Sequence, residues 1–200
     1  MSLKIIESGA RISGSKAIST EYIVSTEGLE TLSVHAIYTV AASTAQTFDS
    51  ATEVDISNEQ LTIPTHGWAT GRKLTLSTAG VLPTGVAAGT YYAISVDANT
   101  IKLASSLANA QAGTAVNITA IGTGTHTLTP AALSGGNIKL QESNDLSSTF
   151  VDISGSTAAI AASGSSIFKP DVRCAYVKIK FDITDGQIDI STFTCGKAYS

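Results

Sequence analysis

Three histidines, one tryptophan, two adjacent tyrosines and a scatter of carboxylates are the side chains with which this 200-residue chain could do chemistry. His66 and Trp68 stand in PTHGWATG, a turn bounded by proline and glycine, with Asp97 and His126 further along. A zinc site needs three or four ligands converging on one point. His126 lies in GTGTHTLTP with no carboxylate beside it, and His35 falls on the polar phase of a strand pattern. This spacing predicts no metal site. Hydrolytic chemistry is no better supplied: there is no GxSxG elbow. Glu142, Asp145 and Asp152 stand near turns, where Asp and Asn ordinarily shape the backbone. GTGTHT and GVAAGT are glycine-rich but lack the Lys-Ser/Thr that would complete a phosphate cradle. The residues predict no catalytic group and no cofactor.

Recognition is a further possibility. The indole of Trp68 offers a broad apolar face with π-density that could stack on a sugar ring. The competing reading makes it the largest core anchor of its region. Tyr91 and Tyr92 are adjacent, so a strand aims them at opposite faces and only one can join Trp68. The candidate glycan contacts are Trp68 and Tyr92.

The elements that must position these residues read as strands. Charged residues are 14% of the chain against a usual quarter, while 43% are hydrophobic. Ser, Thr, Asn and Gly must then supply much of the polarity, which suits β-structure with tight turns and a weakly charged surface covered by neighbours. The net charge of −4 argues against nucleic acid as the main partner, since phosphate binding needs a concentrated basic face. Lys178 and Lys180 alternate along a strand and read as a solvated face. No segment approaches the ~20 apolar residues of a membrane-spanning helix, and the N-terminus lacks a signal-peptide apolar run. The expectation is a protein made in the cytoplasm without membrane insertion.

In TLSVHAIYTV, Leu32, Val34, Ala36, Tyr38 and Val40 alternate with Ser33, His35, Ile37 and Thr39, the period of a half-buried strand. NIKLQES repeats it at Ile138 and Leu140. VKIKFDIT-DG-QIDIST reads as a hairpin on a two-residue Asp185-Gly186 turn. That register pairs Ile183 with Ile188, Phe181 with Ile190 and, extended, Tyr176 with Cys195. Cys174 then becomes a diagonal neighbour of Cys195 at ~7–8 Å, too far for an unstrained disulfide, so both thiols are expected to be free. A short helix is expected from Ser105 to Ala112, capped by Ser105 and ended by Gly113, followed by a strand over Ala115–Thr119. Leu133-Ser134-Gly135-Gly136 reads as a flexible joint.

The terminal segments each hold too few strands to close a sandwich, and together they suffice. The expected architecture is mainly β: a β-sandwich or jelly-roll-like outer domain, discontinuous over residues 1–51 and 131–200. Residues 52–130 form a small inserted β-rich module with one short helix. Insertion into a surface loop requires its two ends to lie close together.

The middle segment carries an ordered series of short motifs: His66-Gly67 with Gly71, Leu82-Pro83 with Gly85, Tyr91-Tyr92 with Ile94 and Val96, and Lys102-Leu103-Ala104 with Ser106 and Ala110. In that order it resembles a recurrent module of tailed-bacteriophage virion proteins. KLQESNDLSSTFVDI followed by YVKIKFDITDGQIDI resembles, more loosely, the β-sandwich of small phage structural proteins, with Phe150 where that pattern favours Trp. The resemblance implies a non-enzymatic virion component (tail, neck or capsid decoration) whose partners are its own copies and other virion proteins. It implies no catalytic residues. A glycan-binding host-recognition module is the alternative.

Overall fold

The computed structural model describes residues 3–171 and 173–199, with side chains described for 12–171 and 173–196. The chain is mainly β with one short helix. Its first strands are β1 (Leu3–Lys16), β2 (Thr20–Ser25) and β3 (Thr31–Val40). The middle segment adds β4 (Gln46–Asp49), β5 (Val54–Asp55), β6 (Gln60–Thr62), β7 (Lys73–Thr78), β8 (Gly89–Ser95), β9 (Thr100–Ala104), helix α1 (Leu107–Ala112) and β10 (Thr125–Pro130). The chain ends with β11 (Gly135–Ser143), β12 (Val151–Ala159), β13 (Gly164–Phe168), β14 (Tyr176–Thr184) and β15 (Ile188–Tyr199).

Two four-stranded antiparallel sheets, β1-β15-β3-β13 and β12-β11-β14-β2, form a sandwich from the two ends of the chain. Their inner faces share one core, in which Val34, Ala36 and Tyr38 of β3 meet Ile138 and Leu140 of β11 and Val177, Ile179 and Phe181 of β14. The alternation in β3 puts Leu32, Val34, Ala36 and Tyr38 inward, as period 2 requires. His35 and Ile37 face outward. The middle strands form a separate seven-stranded antiparallel sheet, β4-β10-β7-β8-β9-β6-β5. Its own core joins Leu74, Leu76, Leu103 and Leu128 to Ile63, Trp68 and Ile118 from irregular segments.

Strand pairing differs from the sequence expectation in several places. β14 and β15 do not pair with each other: β14 lies between β11 and β2, and β15 between β1 and β3. Asp185 and Gly186 adopt φ of 53° and 71°, positive at both positions as a tight hairpin turn demands, yet they carry the chain across the sandwich from one sheet to the other. Phe181, Ile188 and Ile190 still share a core, because alternation determines which side chains point inward and leaves the pairing partner open. Cys195 consequently lies opposite Ser8 and Ser33 rather than Tyr176, and both Cys174 and Cys195 are free.

The module sheet begins at Gln46, inside the segment assigned to the outer domain, because β4 pairs with the distant β10. The helix starts at Leu107, with Ser106 rather than Ser105 as its N-cap, accepting from the Asn109 amide, and Gly113 closes it in the left-handed conformation. Residues 115–119 form no strand. They run beside 84–86, tied by the Thr119 amide to the Thr84 carbonyl at 3.0 Å and the Thr84 amide to the Ala120 carbonyl at 3.0 Å. Gly85 makes that approach possible: at φ 111°, a Cβ there would stand 1.9 Å from the Asn117 carbonyl oxygen. The expected joint at 133–136 is structured instead. Gly135 and Gly136 pair with Thr184 and Ile183, and the Ser134 amide donates to the Thr184 carbonyl at 3.1 Å.

Candidate functional site

Both linkers of the module reach the corner between β14 and β15. The Ala41 amide donates to the Gln187 carbonyl at 2.9 Å, and Ser134 bonds Thr184 at the other side of the same turn. The ends of the insert are therefore held three residues apart on one support. Gln187, buried, spans the seam with its side chain: its Oε1 accepts from the Ala69 amide at 2.8 Å and its Nε2 donates to the Gly67 carbonyl at 2.9 Å. Asp185 receives Lys73 Nζ at 3.0 Å, and this hydrogen bond holds the lysine pKa above its ordinary value. Arg72, 0% exposed, donates Nη2 to the Ala42 carbonyl at 3.0 Å, while the Lys73 carbonyl accepts from the Ala131 amide at 2.9 Å. Residues 72 and 73 thus hold the incoming linker, the outgoing linker and the sandwich corner together.

The residues singled out for chemistry gather only in part. His66 Nδ1 accepts from the Trp68 amide at 2.9 Å, which leaves Nε2 to donate to the Asp97 carbonyl at 2.8 Å. Both ring nitrogens are occupied in a neutral tautomer, so His66 braces a turn and is not free to act as a base. An open cavity of about 470 Å³ lies there, lined by His66, Trp68, Ser95 and Asp97 of the module and Ser15 of the sandwich. Trp68 itself is 5% exposed and packs in the module core. Its burial favours the core-anchor reading of this residue over the stacking one.

Tyr92 is half-buried and lines a different cavity, of about 200 Å³, with Lys73, Asp185, Gln111, Leu107 and Ser19. Trp68 and Tyr92 therefore form no joint platform. Tyr91 points to the opposite face, packs on the module core and accepts the Ala87 amide on its hydroxyl at 2.9 Å.

His126 is fully buried on β10. Its Nδ1 lies 2.7 Å from Thr78 Oγ1, and its ring stands 5.1 Å from that of Phe48. Burial pushes its pKa down, so it is a neutral core residue. Among the described residues no three His, Cys, Asp or Glu side chains converge to hold a metal.

Glu142 and Asp152 line one surface cavity of about 410 Å³, together with Lys169, Asp171 and Arg173. Asp145 shapes a turn instead, accepting the Ser147 amide at 2.9 Å. A glycosidase acid needs a raised pKa. The hydrogen bond from Gln141 holds Asp152 below the carboxylate range, and the Ser147 amide does the same for Asp145. Burial, with Glu142 nearby, pushes the Cys174 thiol up, away from reactive thiolate.

The outer faces of the sandwich differ from each other. On sheet β12-β11-β14-β2, Lys178 pairs with Glu21 at 3.2 Å, Lys180 with Asp182 at 3.0 Å and Lys139 with Asp152 at 3.6 Å. On sheet β1-β15-β3-β13, the outward register rows join Phe193 to His35 to Ile167 and Ser191 to Ile37 to Ser165. Ile167 is 60% exposed, and Ile37 and Phe193 are exposed as well. Asp189, a charged side chain bordering these rows, takes a hydrogen bond from Ser15 Oγ. No helix among the described residues is long and apolar enough to cross a membrane.

Sequence reasoning missed Gln187 and Arg72. A glutamine one residue after an Asp-Gly turn carries no periodic signal. Arg72 shares strand parity with Leu74 and Leu76, so its inward phase could have been read. Comparison with protein-family models finds none that matches the chain, and comparison with curated proteins finds no similar sequence.

Proposed function

We propose that this chain is a non-enzymatic structural component of a tailed-phage virion, acting through self-association or docking on the particle. The single observation that supports this reading most is the contrast between the sandwich's two outer faces. One bears a lattice of paired charges suited to solvent, and the other bears exposed Ile37, Ile167 and Phe193 among serines and threonines. Clustered apolar exposure rimmed by small polar residues marks an interaction surface. The ordered motifs of the middle segment supply the virion context. In this reading the sandwich is the assembling body and the module is a rigid projection. Symmetric assembly multiplies individually weak contacts.

The test is quantitative mass spectrometry of purified particles from a phage encoding the chain. Many copies per particle are expected; a chain absent from particles overturns the reading. A glycan-binding role is the second reading and rests on Tyr92, whose ring lines a cavity with Lys73, Asp185 and Gln111. A glycan array with Tyr92→Ala as control tests it, and binding unchanged by that substitution removes it.

A further inference from the structure

We propose that β13 is the assembly edge of the sandwich and pairs antiparallel with β13 of a second copy about a two-fold axis near Ser166. This rests on the self-association half of the functional reading and assigns it a place. Sheet edges expose unpaired N–H and C=O groups, and proteins guard them with bulges, charges, proline or short strands. Three of the four sandwich edges are guarded. β1 departs from regular register at two places, between Ile5 and Ser8 and between Ala10 and Ser13. β12 carries Asp152, a register shift and Gly155 at φ 75°. β2 is six residues long and presents Glu21, held by Lys178. The module's edges, β4 and β5, are only four and two residues long.

β13 is also short, at five residues, but within its span it carries no charge, proline or bulge. Its sequence, GSSIF, is uncharged and pairs with β3 without a register shift over all five residues, while its other side is open. Lys169 and Pro170 follow the strand's last residue, Phe168. The outward residues of β13 are Ser165 and Ile167; Ile167 continues the row of His35 and Phe193, and Ser165 that of Ile37 and Ser191.

The occupant follows from charge and symmetry. An uncharged edge beside an apolar row fits an equally neutral partner. A second copy of the strand supplies one, because antiparallel pairing about a two-fold is self-complementary. With Ser166 opposite its symmetry mate, Ile167 of each copy faces Ser165 of the other, and the two four-stranded sheets join into one. A five-residue edge and one row of side chains is well below the 20–30 residues a side of a standard interface. The contact is therefore weak in isolation and concentration-dependent.

Sedimentation velocity of the full chain across a concentration series, with Ile167→Lys and Ser165→Lys as variants, tests this. Both positions are exposed, and thermal unfolding of each variant checks that the fold is kept. The expected result is a monomer–dimer equilibrium that either lysine weakens at least about tenfold, as edge charges do. In addition, Ser166→Cys should give a covalent dimer on mild oxidation that the wild-type chain, with Cys174 and Cys195, does not give. A chain monomeric at every concentration overturns the proposal, as does a dimer indifferent to both lysines. Particle mass spectrometry keeps the two readings apart: a chain abundant in particles but indifferent to these substitutions retains the virion role and loses the β13 edge.

Discussion

The sandwich and the module are both antiparallel β-structures with closed apolar cores, but they differ in what their interiors leave unmet. Among the described residues, the buried side-chain atoms without a protein hydrogen-bond partner are Arg72 Nε and Nη1 and His126 Nε2, and all three belong to the module. The sandwich core holds Ile138, Leu140, Ile179 and Phe181, none of which has a polar atom to satisfy. A buried donor without a partner costs on the order of 1–3 kcal/mol. These polar groups lie in the module, and Gln187, Asp185 and the two linkers tie the module to the sandwich at the seam. We expect two unequal units: a sandwich whose apolar core closes on itself, and a module that leans on the seam for support.

Substitutions that strike one unit and spare the other sharpen this contrast. The largest effect is expected at Gly85. An alanine there would combine a positive φ with a Cβ 1.9 Å from the Asn117 carbonyl, and strain of ~1–3 kcal/mol with a comparable overpacking cost removes about 3 kcal/mol or more. In calorimetry, Gly85→Ala should lower a module transition and leave the sandwich transition in place. A single merged transition that shifts as a whole would break the distinction.

Gln187→Ala comes next. It strands the Ala69 amide and the Gly67 carbonyl at the seam, at a cost of roughly 1–3 kcal/mol. Although residue 187 belongs to the sandwich in sequence, the loss should appear in the module, as faster hydrogen exchange at Gly67–Ala69.

His126 gives a smaller, pH-dependent effect with a definite sign. Its folded pKa lies below the value of about 6.5 expected in the unfolded chain. Above that pH both states are neutral and the residue contributes no pH dependence. As pH falls through 6.5, the unfolded state takes the proton and the folded state does not, so module stability declines until the folded pKa is reached. His126→Gln should flatten this decline in acid-unfolding curves.

The smallest effect belongs to the Lys73–Asp185 pair. Both side chains are about one-third exposed, and such pairs contribute little and are screened by salt. Lys73→Met should lower stability only slightly in dilute buffer, and the difference from wild type should vanish near ~1 M salt.

How far the fold was legible depended on whether the deciding contact was local. The alternation of Leu32, Val34, Ala36 and Tyr38 fixes their inward face, because strand period is a property of the backbone itself. Pairing is not local. Asp185-Gly186 has the residue types and the positive φ of a hairpin turn, yet β14 and β15 each found other partners. The module boundary at Gln46 depends on a partner strand at Thr125–Leu128, which no local pattern announces. Trp68 was ambiguous for the same reason: an amphipathic ring suits a core or a binding face, and burial is decided by the segments that fold over it. Its neighbour His66 was legible only as a turn residue, and both its nitrogens serve that turn.

The inequality of the two units is tested most directly by removing the dependent one. Ala41 and Ser134 dock on the same corner, at Gln187 and Thr184, so residues 46–130 can be replaced by a short glycine linker without separating the sheets. Thermal unfolding of the shortened chain, followed by near-ultraviolet circular dichroism, should give one cooperative transition with the tertiary signal of a packed sandwich. A chain that loses this signal and unfolds without cooperativity would contradict the account, because the sandwich would then depend on the module as much as the module depends on it.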